Sequence, residues 1–342
     1  GPPTPPPGYS HVFDPVNWSP ADAPRPDISQ FYYGQNTETE QGSAYTTARF
    51  VVLPQLAVLA GARWDTFKYD AVNVVTGAST ASYQVEELTP YFGVVYDVAP
   101  QWSVYGSWTS VFNPQTAKTP QNAVLDPVTG DNLEAGVKGE LMEGKLNVSA
   151  ALFQIKQQNL AAPLPVAQCG PGQTSCSEAG GEVTAKGVEL EVVGAPMPGW
   201  QLSAGYTFTT AKYTKGNNAG ARFAPDRPLN LLRLTTMHNV PGPVPGLRLG
   251  AALRAQSAVT RVGTVRTGSG ASAVITPYSI HQGGYATADL LGQWQVTRNL
   301  DLRASITNVF DRAYYQSIGT PTGSNSLGEP RSFGVAARYT FH

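Results

Sequence analysis

Strict alternation of apolar and polar residues runs through most of this chain and constrains its fold more than any other feature. Residues 200–208 place Trp, Leu, Ala, Tyr and Phe at every second position, with Gln, Ser, Gly and Thr between them. The segments 247–254, 300–307 and 332–341 repeat the pattern. A period of two residues is typical of a β-strand with one apolar and one polar face. The chain is therefore predicted to be all-β.

The alternation divides the chain into about 13 predicted strands. They span residues 41–53, 55–74, 81–98, 101–113, 131–142, 145–160, 182–194, 200–214, 228–240, 247–261, 284–297, 300–315 and 330–342. Most have about ten residues or more, whereas strands in soluble proteins usually have five or six. A tilted strand of about ten residues is long enough to cross a bilayer.

The connections between these strands alternate in length. Short ones fall at 53–55, 99–101, 143–145, 195–199, 241–246 and 298–299, and long ones at 75–81, 114–130, 161–181, 215–227, 262–283 and 316–329. Short periplasmic turns and long outer loops are the layout of a transmembrane antiparallel β-barrel of the bacterial outer membrane. Residues 41–342 are predicted to form such barrel strands, and residues 1–40 an extracellular loop segment. A large soluble β protein is the alternative.

The two faces of the predicted strands differ in chemistry. Aromatic residues near strand ends of the apolar face suit the girdles at membrane–water interfaces: Tyr96, Trp102, Trp200, Trp294, Phe310, Tyr339 and Phe341. The other face carries charges: Glu134, Lys138, Glu140, Glu189, Glu191, Arg248, Arg254, Asp289, Asp301, Arg303 and Arg338. Each Arg or Lys facing lipid at mid-depth would cost about 2–4 kcal/mol. The charged face is therefore expected to line a wet or protein-filled interior.

Composition excludes several functions. The 23 lysines and arginines are balanced by 24 aspartates and glutamates, so no basic surplus exists to bind nucleic acid. Nucleotide-binding, zinc-protease and nucleophile-elbow motifs are missing from the sequence, and the chain is not predicted to be an enzyme. The four histidines are widely separated, which argues against a His-rich metal site.

The two cysteines, Cys169 and Cys176, lie within QCGPGQTSC in the long loop 161–181. A loop of an outer-membrane protein matures in the oxidising periplasm, where disulfides form and persist. A disulfide between them is predicted.

Six short motifs occur in order along the chain, each at a predicted strand or turn. They are 88–96 (LTPYFGVVY) with 103–105, 112–115, 125–130 with Asn132, Glu134, Gly136 and Lys138, 186–191, 307–315 (TNVFDRAYY), and 328–331 with the Phe341 ending. Together they resemble the C-terminal barrel of TonB-dependent outer-membrane ferric-siderophore receptors. The resemblance covers most of residues 41–342 and departs from the family where His342 follows Phe341.

The resemblance implies a barrel of about 22 strands. The family's plug domain and TonB box do not occur in this sequence, and about nine N-terminal strands are expected to be missing from it. The odd number of predicted strands agrees, because single-chain bacterial barrels have even numbers.

Such a receptor binds a ferric siderophore at the cell surface and imports it with energy from TonB, acting through the plug. Lipid and lipopolysaccharide of the outer membrane are further expected partners. No covalently bound cofactor and no direct protein ligand to the metal are expected.

Aromatic side chains on the outer loops would supply contact area for a bulky, nearly neutral chelate, with a few polar groups for orientation. The ligand-binding candidates are Tyr32, Tyr33, Tyr314, Tyr315, Phe112, Tyr278 and Arg222. For each of them, loop packing or an interfacial girdle is the alternative role. Gly136 and Gly187 are expected to mark mid-strand bends or close approaches, and Asp311 to cap a turn.

Two rival functions remain open from the sequence. One is a passive porin. The other is a TonB-dependent transporter of cobalamin, haem or an oligosaccharide, for which His11 and His281 are weak haem-ligand candidates. An added role as an adhesin or phage receptor also stays open.

Overall fold

The computed structural model describes residues 34–341, apart from 174, 217, 268–273 and 322. Its strands are β1 (Gln35–Leu53), β2 (Leu56–Asn73), β3 (Ser79–Ala99), β4 (Trp102–Asn113), β5 (Val128–Leu141), β6 (Leu146–Pro163), β7 (Ser177–Met197), β8 (Trp200–Lys215), β9 (Asn230–Asn239), β10 (Leu247–Gln256), β11 (Val259–Thr267), β12 (Val274–Gln282), β13 (Tyr285–Gln295), β14 (Leu300–Thr307), β15 (Tyr315–Ser317), β16 (Ser326–Leu327) and β17 (Ser332–Tyr339). A 3-10 turn spans Val166–Gln168. Within the described residues, no helix is long and apolar enough to span a membrane.

Thirteen of these strands form one antiparallel sheet. Its order is β1 to β10, then β13, β14 and β17, so each strand pairs with the next sheet strand along the chain. The predicted all-β class and the predicted number of strands in the main sheet are confirmed. The predicted alternation of short and long connections holds for most strand pairs: β3–β4 and β7–β8 are joined by two residues, at 100–101 and 198–199. It fails at 74–78, where the β2–β3 connection is shorter than the β9–β10 connection at 240–246. We call the end of the sheet with the long connections the outer end.

Strand β10 ends earlier than predicted, at Gln256 instead of residue 261. The chain leaves the sheet at Ser257, whose hydroxyl accepts hydrogen bonds from the backbone N–H groups of Leu229 and Asn230 at 2.9 and 3.0 Å. The next residues pair with each other as the β11–β12 hairpin, which begins at Val259 and occupies most of the predicted loop 262–283. Strand β1, in contrast, is longer than predicted, because it begins at Gln35 instead of residue 41.

Strand β14 also ends early, at Thr307 instead of residue 315. Asn308 has a positive φ of 49° and is almost fully buried. Its amide donates to the carbonyls of Arg312 (2.9 Å) and Glu329 (3.0 Å) and accepts the Arg312 N–H (2.9 Å). Asn308 therefore holds the turn that Asp311 was expected to cap. Asp311 instead accepts the backbone N–H of Arg331. Phe310, predicted to lie on this strand, follows it.

One face of the sheet leaves large apolar side chains uncovered. Leu152, Leu190, Leu249 and Val335 are 62%, 45%, 51% and 86% exposed. These residues share the alternation phase of the predicted apolar face, and cross-strand neighbours such as Leu190 and Ala150 keep that phase from strand to strand. Soluble monomers rarely expose apolar patches of this extent. A lipid environment or another apolar partner must cover this face.

The opposite, polar face is packed through pairs of glycine and aromatic residues. Phe153 lies directly opposite Gly187, and Tyr105 lies directly opposite Gly136. A Cβ atom at either glycine would overlap the aromatic ring across the strand gap. Both glycines therefore provide the close approach expected from their mid-strand position. Tyr105 also donates to Glu134 and receives the Lys138 ammonium 4.9 Å from its ring centroid.

The outer ends of β6, β7 and β8 meet at one buried carboxylate. Glu182 accepts a hydrogen bond from the Thr214 hydroxyl at 2.8 Å and lies 3.1 Å from Lys215 and 3.3 Å from Lys156. The Thr214 hydrogen bond and the two ammonium groups lower the pKa of Glu182 from its ordinary value of 4.5, against the opposing effect of burial. The ionised carboxylate thus helps to hold the outer end of this part of the sheet.

Alanine at Gly187 is expected to destabilise the folded sheet by about 1–3 kcal/mol, because the new methyl group displaces Phe153 or the Phe208 carbonyl. Gly205 is the matched control, since a Cβ atom there meets no atom within 4 Å. The measurement is the temperature at which the intact protein loses its fast-migrating folded form on gels. Equal transition temperatures for Gly187→Ala and Gly205→Ala would contradict the packing role.

Acid is expected to loosen the outer ends of β7 and β8. Because folding lowers the Glu182 pKa, its stabilising effect is complete above the ordinary value of 4.5 and is lost as the pH falls through the lower folded-state pKa. Amide exchange in 213–216, corrected for intrinsic rates, should rise between about pH 6 and about pH 3. Glu182→Gln should abolish this dependence, whereas Glu178→Gln on the same strand should retain it.

Candidate functional site

Two groups of loops lie at the outer end of the sheet. The first, called the disulfide cluster here, consists of residues 114–127 and 164–176. Cys169 and Cys176 are joined by a disulfide with a Cα–Cα distance of 5.5 Å, as predicted. The Leu164 N–H donates to the Cys176 carbonyl at 3.0 Å and closes the base of this loop.

The two loops of the disulfide cluster are bonded to each other. The Gln173 amide donates to the Thr119 carbonyl at 3.0 Å, and the Ser177 N–H donates to the Lys118 carbonyl at 2.8 Å. Leu125 and Cys176 are both 4% exposed, so each loop contributes to a small apolar interior. This cluster is therefore a packed unit held by its own hydrogen bonds.

The second group, called the hairpin–loop cluster, consists of the β11–β12 hairpin and residues 308–331. The side-chain amide of Gln282 forms two hydrogen bonds with the Tyr315 backbone. Its oxygen accepts the Tyr315 N–H, and its NH₂ group donates to the Tyr315 carbonyl at 3.2 Å. Tyr278 on β12 donates from its hydroxyl to the Gly319 carbonyl at 3.4 Å. These contacts connect the hairpin to the long loop between β14 and β17.

A cleft of about 270 Å³ opens on the polar face beside the hairpin–loop cluster. Its lining includes Arg233, Arg254, Asp289, Tyr314 and Glu329. Tyr314 stacks on Tyr285 with ring centroids 4.4 Å apart and planes at 25°. The cleft therefore combines charged groups with a flat aromatic wall.

The two arginines of the cleft lie directly opposite each other on β10 and β9. Like charges at directly paired positions of a sheet destabilise it. Asp289 accepts the Asn308 N–H at 2.8 Å, and Glu329 accepts the Ser332 hydroxyl, so both carboxylates already have partners. Across the described residues neither Arg233 nor Arg254 forms an ion pair or a side-chain hydrogen bond. The cleft thus places two arginines without a side-chain partner beside two hydrogen-bonded carboxylates.

The structure groups three of the predicted ligand residues. Tyr278, Tyr314 and Tyr315 all belong to the hairpin–loop cluster, and Tyr314 lines the cleft. Phe112 lies apart from them on β4, in the alternation phase of Trp108 on the apolar face. Arg222 also lies apart, bridged to Lys212 at the end of β8, and it donates to the Arg227 carbonyl. Tyr32 and Tyr33, like His11, lie outside the described residues.

Several residues of the cleft were not predicted as ligand candidates. Arg254 and Asp289 were assigned to the polar face by alternation, and the same alternation places Arg233 there, between Leu232 and Leu234. The opposition of the two arginines depends on strand register, which the sequence alone does not give. His281 bonds to the Thr260 hydroxyl at 3.2 Å. Among the described residues, no group of three His, Cys, Asp or Glu side chains is arranged to hold a metal ion.

Comparison with known proteins agrees with this architecture. Residues 7–309 match the family model described as TonB dependent receptor-like, beta-barrel. The ferripyoverdine receptor of Pseudomonas aeruginosa is 31% identical over 334 residues, which cover 95% of this chain and 38% of that protein. The ferric-pyoverdine 358 receptor of Pseudomonas putida is 30% identical over 325 residues, with 93% and 38% covered.

A solved structure is also similar. The crystal structure of the outer-membrane ferripyoverdine receptor of Pseudomonas aeruginosa bound to ferripyoverdine superimposes with a TM-score of 0.73 at 30% identity. The match covers 89% of this chain and 39% of that one. The chain thus spans about two fifths of the length of the relatives it matches.

Removal of the disulfide is expected to loosen the disulfide cluster without unfolding the sheet. Closing so short a loop contributes about 2.5 kcal/mol by the chain-entropy relation, and the effect should stay local because the disulfide constrains only 169–176. Limited proteolysis of the Cys169→Ser, Cys176→Ser double variant should cut within 114–127 or 164–176 several times faster than in the parent. Gln168→Ser is the control, and unchanged cleavage of the double variant would contradict this role.

Proposed function

The chain belongs to the TonB dependent receptor-like β-barrel family, and on that premise we propose that it is part of a receptor that binds a ferric siderophore and imports it with energy from TonB. Members of this family are outer-membrane β-barrel proteins and transporters, not enzymes, in agreement with the predicted fold class, localisation and absence of catalysis. The proposal concerns the ligand, the partner and the direction of transport.

The two faces of the sheet support an assignment of orientation. We place the apolar face against lipid and the polar face toward the barrel interior, because charges facing lipid at mid-depth are costly. The long connections, including the disulfide and hairpin–loop clusters, then lie outside the cell, and the short turns lie in the periplasm. Residues 41–342 are assigned to barrel strands and their loops, and residues 1–40 to an extracellular segment.

The cleft on the polar face supports capture of a ferric chelate. Arg233 and Arg254 offer charge-assisted hydrogen bonds to an acidic arm of the chelate. The stacked Tyr285 and Tyr314 offer a flat apolar surface with little rotamer entropy to lose. The single observation that carries the proposal is this unpartnered arginine pair beside an aromatic stack in a siderophore-receptor barrel. Iron is the cargo and arrives already chelated.

The relatives indicate which ligand to test first. The two receptors described above are named for ferric pyoverdine and ferripyoverdine, so ferripyoverdine is the first probe. The family match opposes the passive-porin alternative, because porins do not depend on TonB. Cobalamin, haem or an oligosaccharide remains the rival cargo on the same scaffold. Outer-membrane lipid and lipopolysaccharide are proposed as the partners of the apolar face.

Charge removal in the cleft is expected to weaken binding of a ferric siderophore. Hydrogen bonds to charged groups contribute about 1.5–3 kcal/mol, so Arg233→Gln and Arg254→Gln should each raise Kd at least about tenfold. Quenching of tryptophan fluorescence in the intact receptor measures Kd for ferripyoverdine and for ferric hydroxamate, catecholate and carboxylate chelates. Arg298→Gln, in the turn between β13 and β14, is the matched control. Quenching by none of these chelates would reject siderophore capture.

Uptake of the iron-loaded chelate is expected to stop when TonB is deleted. The reason is that release from a tight site into the periplasm requires energy that the outer membrane itself does not store. Cells producing the receptor are supplied with radioactive iron bound to the chelate that quenches best. Uptake that persists without TonB would favour the porin alternative.

A further inference from the structure

The aromatic wall of the cleft consists of two tyrosines with different supports. Tyr285 lies on β13, directly opposite Gln256 of β10, so the hydrogen-bonded ladder of the main sheet fixes its backbone. Tyr314 lies in the long connection between β14 and β17, outside the main sheet. The two rings stack with their centroids 4.4 Å apart. Contacts other than those of the main sheet must therefore hold Tyr314 against Tyr285.

Gln282, at the end of β12, supplies one such contact from the hairpin. Its side-chain oxygen accepts the Tyr315 N–H at 2.5 Å, and its NH₂ group donates to the Tyr315 carbonyl at 3.2 Å. In an antiparallel sheet, a residue of the partner strand bonds the N–H and the carbonyl of one residue in this way. The Gln282 amide thus takes the place of a partner strand for Tyr315, the residue next to Tyr314.

The returning part of the same loop holds the other side of this short strand. Strand β15 pairs with β16, where Tyr315 lies opposite Leu327. The Gly328 N–H donates to the Tyr314 carbonyl at 2.8 Å. A Cβ atom at Gly328 would overlap the Tyr314 ring, so this ring packs directly against the glycine backbone. The Tyr314 ring therefore contacts both Gly328 and Tyr285.

The β11–β12 hairpin presents one face to this loop. Tyr278 and Gln282 are four residues apart on β12 and therefore lie on the same face. Tyr278 donates from its hydroxyl to the Gly319 carbonyl at 3.4 Å, and its ring packs over Gly263 on β11. The hairpin thus contacts the loop at two points, Tyr315 and Gly319.

Other contacts fix the hairpin itself and do not involve this loop. The Thr260 N–H donates to the Pro225 carbonyl at 2.9 Å. Arg261 forms an ion pair with Asp226 at 2.7 Å. Because β11 pairs with β12 along its whole length, these contacts also determine where Gln282 lies. The hairpin therefore positions the loop that carries Tyr314.

We propose that Gln282 is a positioning residue that holds Tyr314 in its ligand-binding orientation, although Gln282 does not itself line the cleft. The inference rests on the proposed function, which makes the stack of Tyr285 and Tyr314 part of the siderophore site. A loop that samples several positions binds with an affinity reduced by the fraction of molecules in the competent position. Gln282 keeps this fraction near one, so the wall is formed before the chelate arrives.

Gln282→Met tests this role, because methionine keeps the length of the side chain and removes both hydrogen bonds. Amide exchange of 314–317 in the ligand-free intact protein, corrected for intrinsic rates, should rise at least about tenfold. Kd for ferripyoverdine, measured by tryptophan quenching, should rise about tenfold as well. Gln316→Met is the matched control and should change neither quantity. Gln316 lies in the same loop, and its exposed side chain has no hydrogen bond to any described residue.

A double-mutant cycle separates positioning of Tyr314 from a general loosening of the site. In a Tyr314→Ala background the wall is already lost, so Gln282→Met should cause no further rise in Kd. In an Arg254→Gln background it should still raise Kd, because Tyr314 is intact there.

The glycine contact is tested with a second pair of variants. Gly328→Ala should displace the Tyr314 ring and raise Kd for ferripyoverdine. Gly323→Ala, in the same loop, should leave Kd unchanged, since a Cβ atom there meets no atom within 4 Å.

Unchanged amide exchange in Gln282→Met, or a rise in Kd that persists undiminished in the Tyr314→Ala background, would overturn the proposal. Failure of every ferric chelate to quench the parent would instead reject the proposed function. Amide exchange needs no ligand and would still decide whether Gln282 holds the loop, so the two failures are distinguishable.

Discussion

The rest of the structure depends on one constraint, which is that a strand in lipid must pair all its backbone N–H and C=O groups with neighbouring strands. The 13-stranded sheet meets it by joining each strand to the next with an unbroken antiparallel ladder. Irregular pairing lies toward the ends of the strands. The shifts near Val51, Asp97 and Gly194 are at short turns, and those near Ala71 and Glu182 and between Gln157 and Ala161 lie toward the outer end. Between these positions the register continues without interruption.

Because hydrogen bonding between strands fixes the backbone, the parts of the sheet differ mainly in their side chains and in the segments that leave the sheet. On the polar face, Gly136 and Gly187 make room for Tyr105 and Phe153, which pack the interior without disturbing the ladder. Beyond the ladder, Ser257 and Asn308 each satisfy backbone groups with a side chain, and this is where the hairpin–loop cluster begins. The cleft with Arg233 and Arg254 lies next to that transition.

Alternation and loop length predicted the main sheet because both are local properties of the sequence. They did not predict where β10 and β14 end, since those ends are set by contacts of Ser257 with β9 and of Asn308 with Glu329, residues distant in sequence. The candidate site shows the same contrast between what local sequence predicts and what depends on contacts distant in sequence. Tyr278, Tyr314 and Tyr315 were identified as loop aromatics, but the Gln282 contacts that hold the cluster required the fold. Phe112 was selected as a loop aromatic, although its alternation phase matches that of Trp108 on the apolar face.

Strand length explains how a sheet built for a membrane also supports long outer loops. A crossing requires about 9–11 residues, yet β2, β3, β6 and β7 have 18, 21, 18 and 21. The excess lies at the outer end, since the short turns hold the other ends close to the inner boundary. On β6 and β7 the excess begins beyond Leu152 and Val188, near Lys156 and Lys186, and it extends to the disulfide cluster. The same ladder that satisfies the backbone in lipid therefore continues into water as a rigid support, so the outer loops stand on ordered strands.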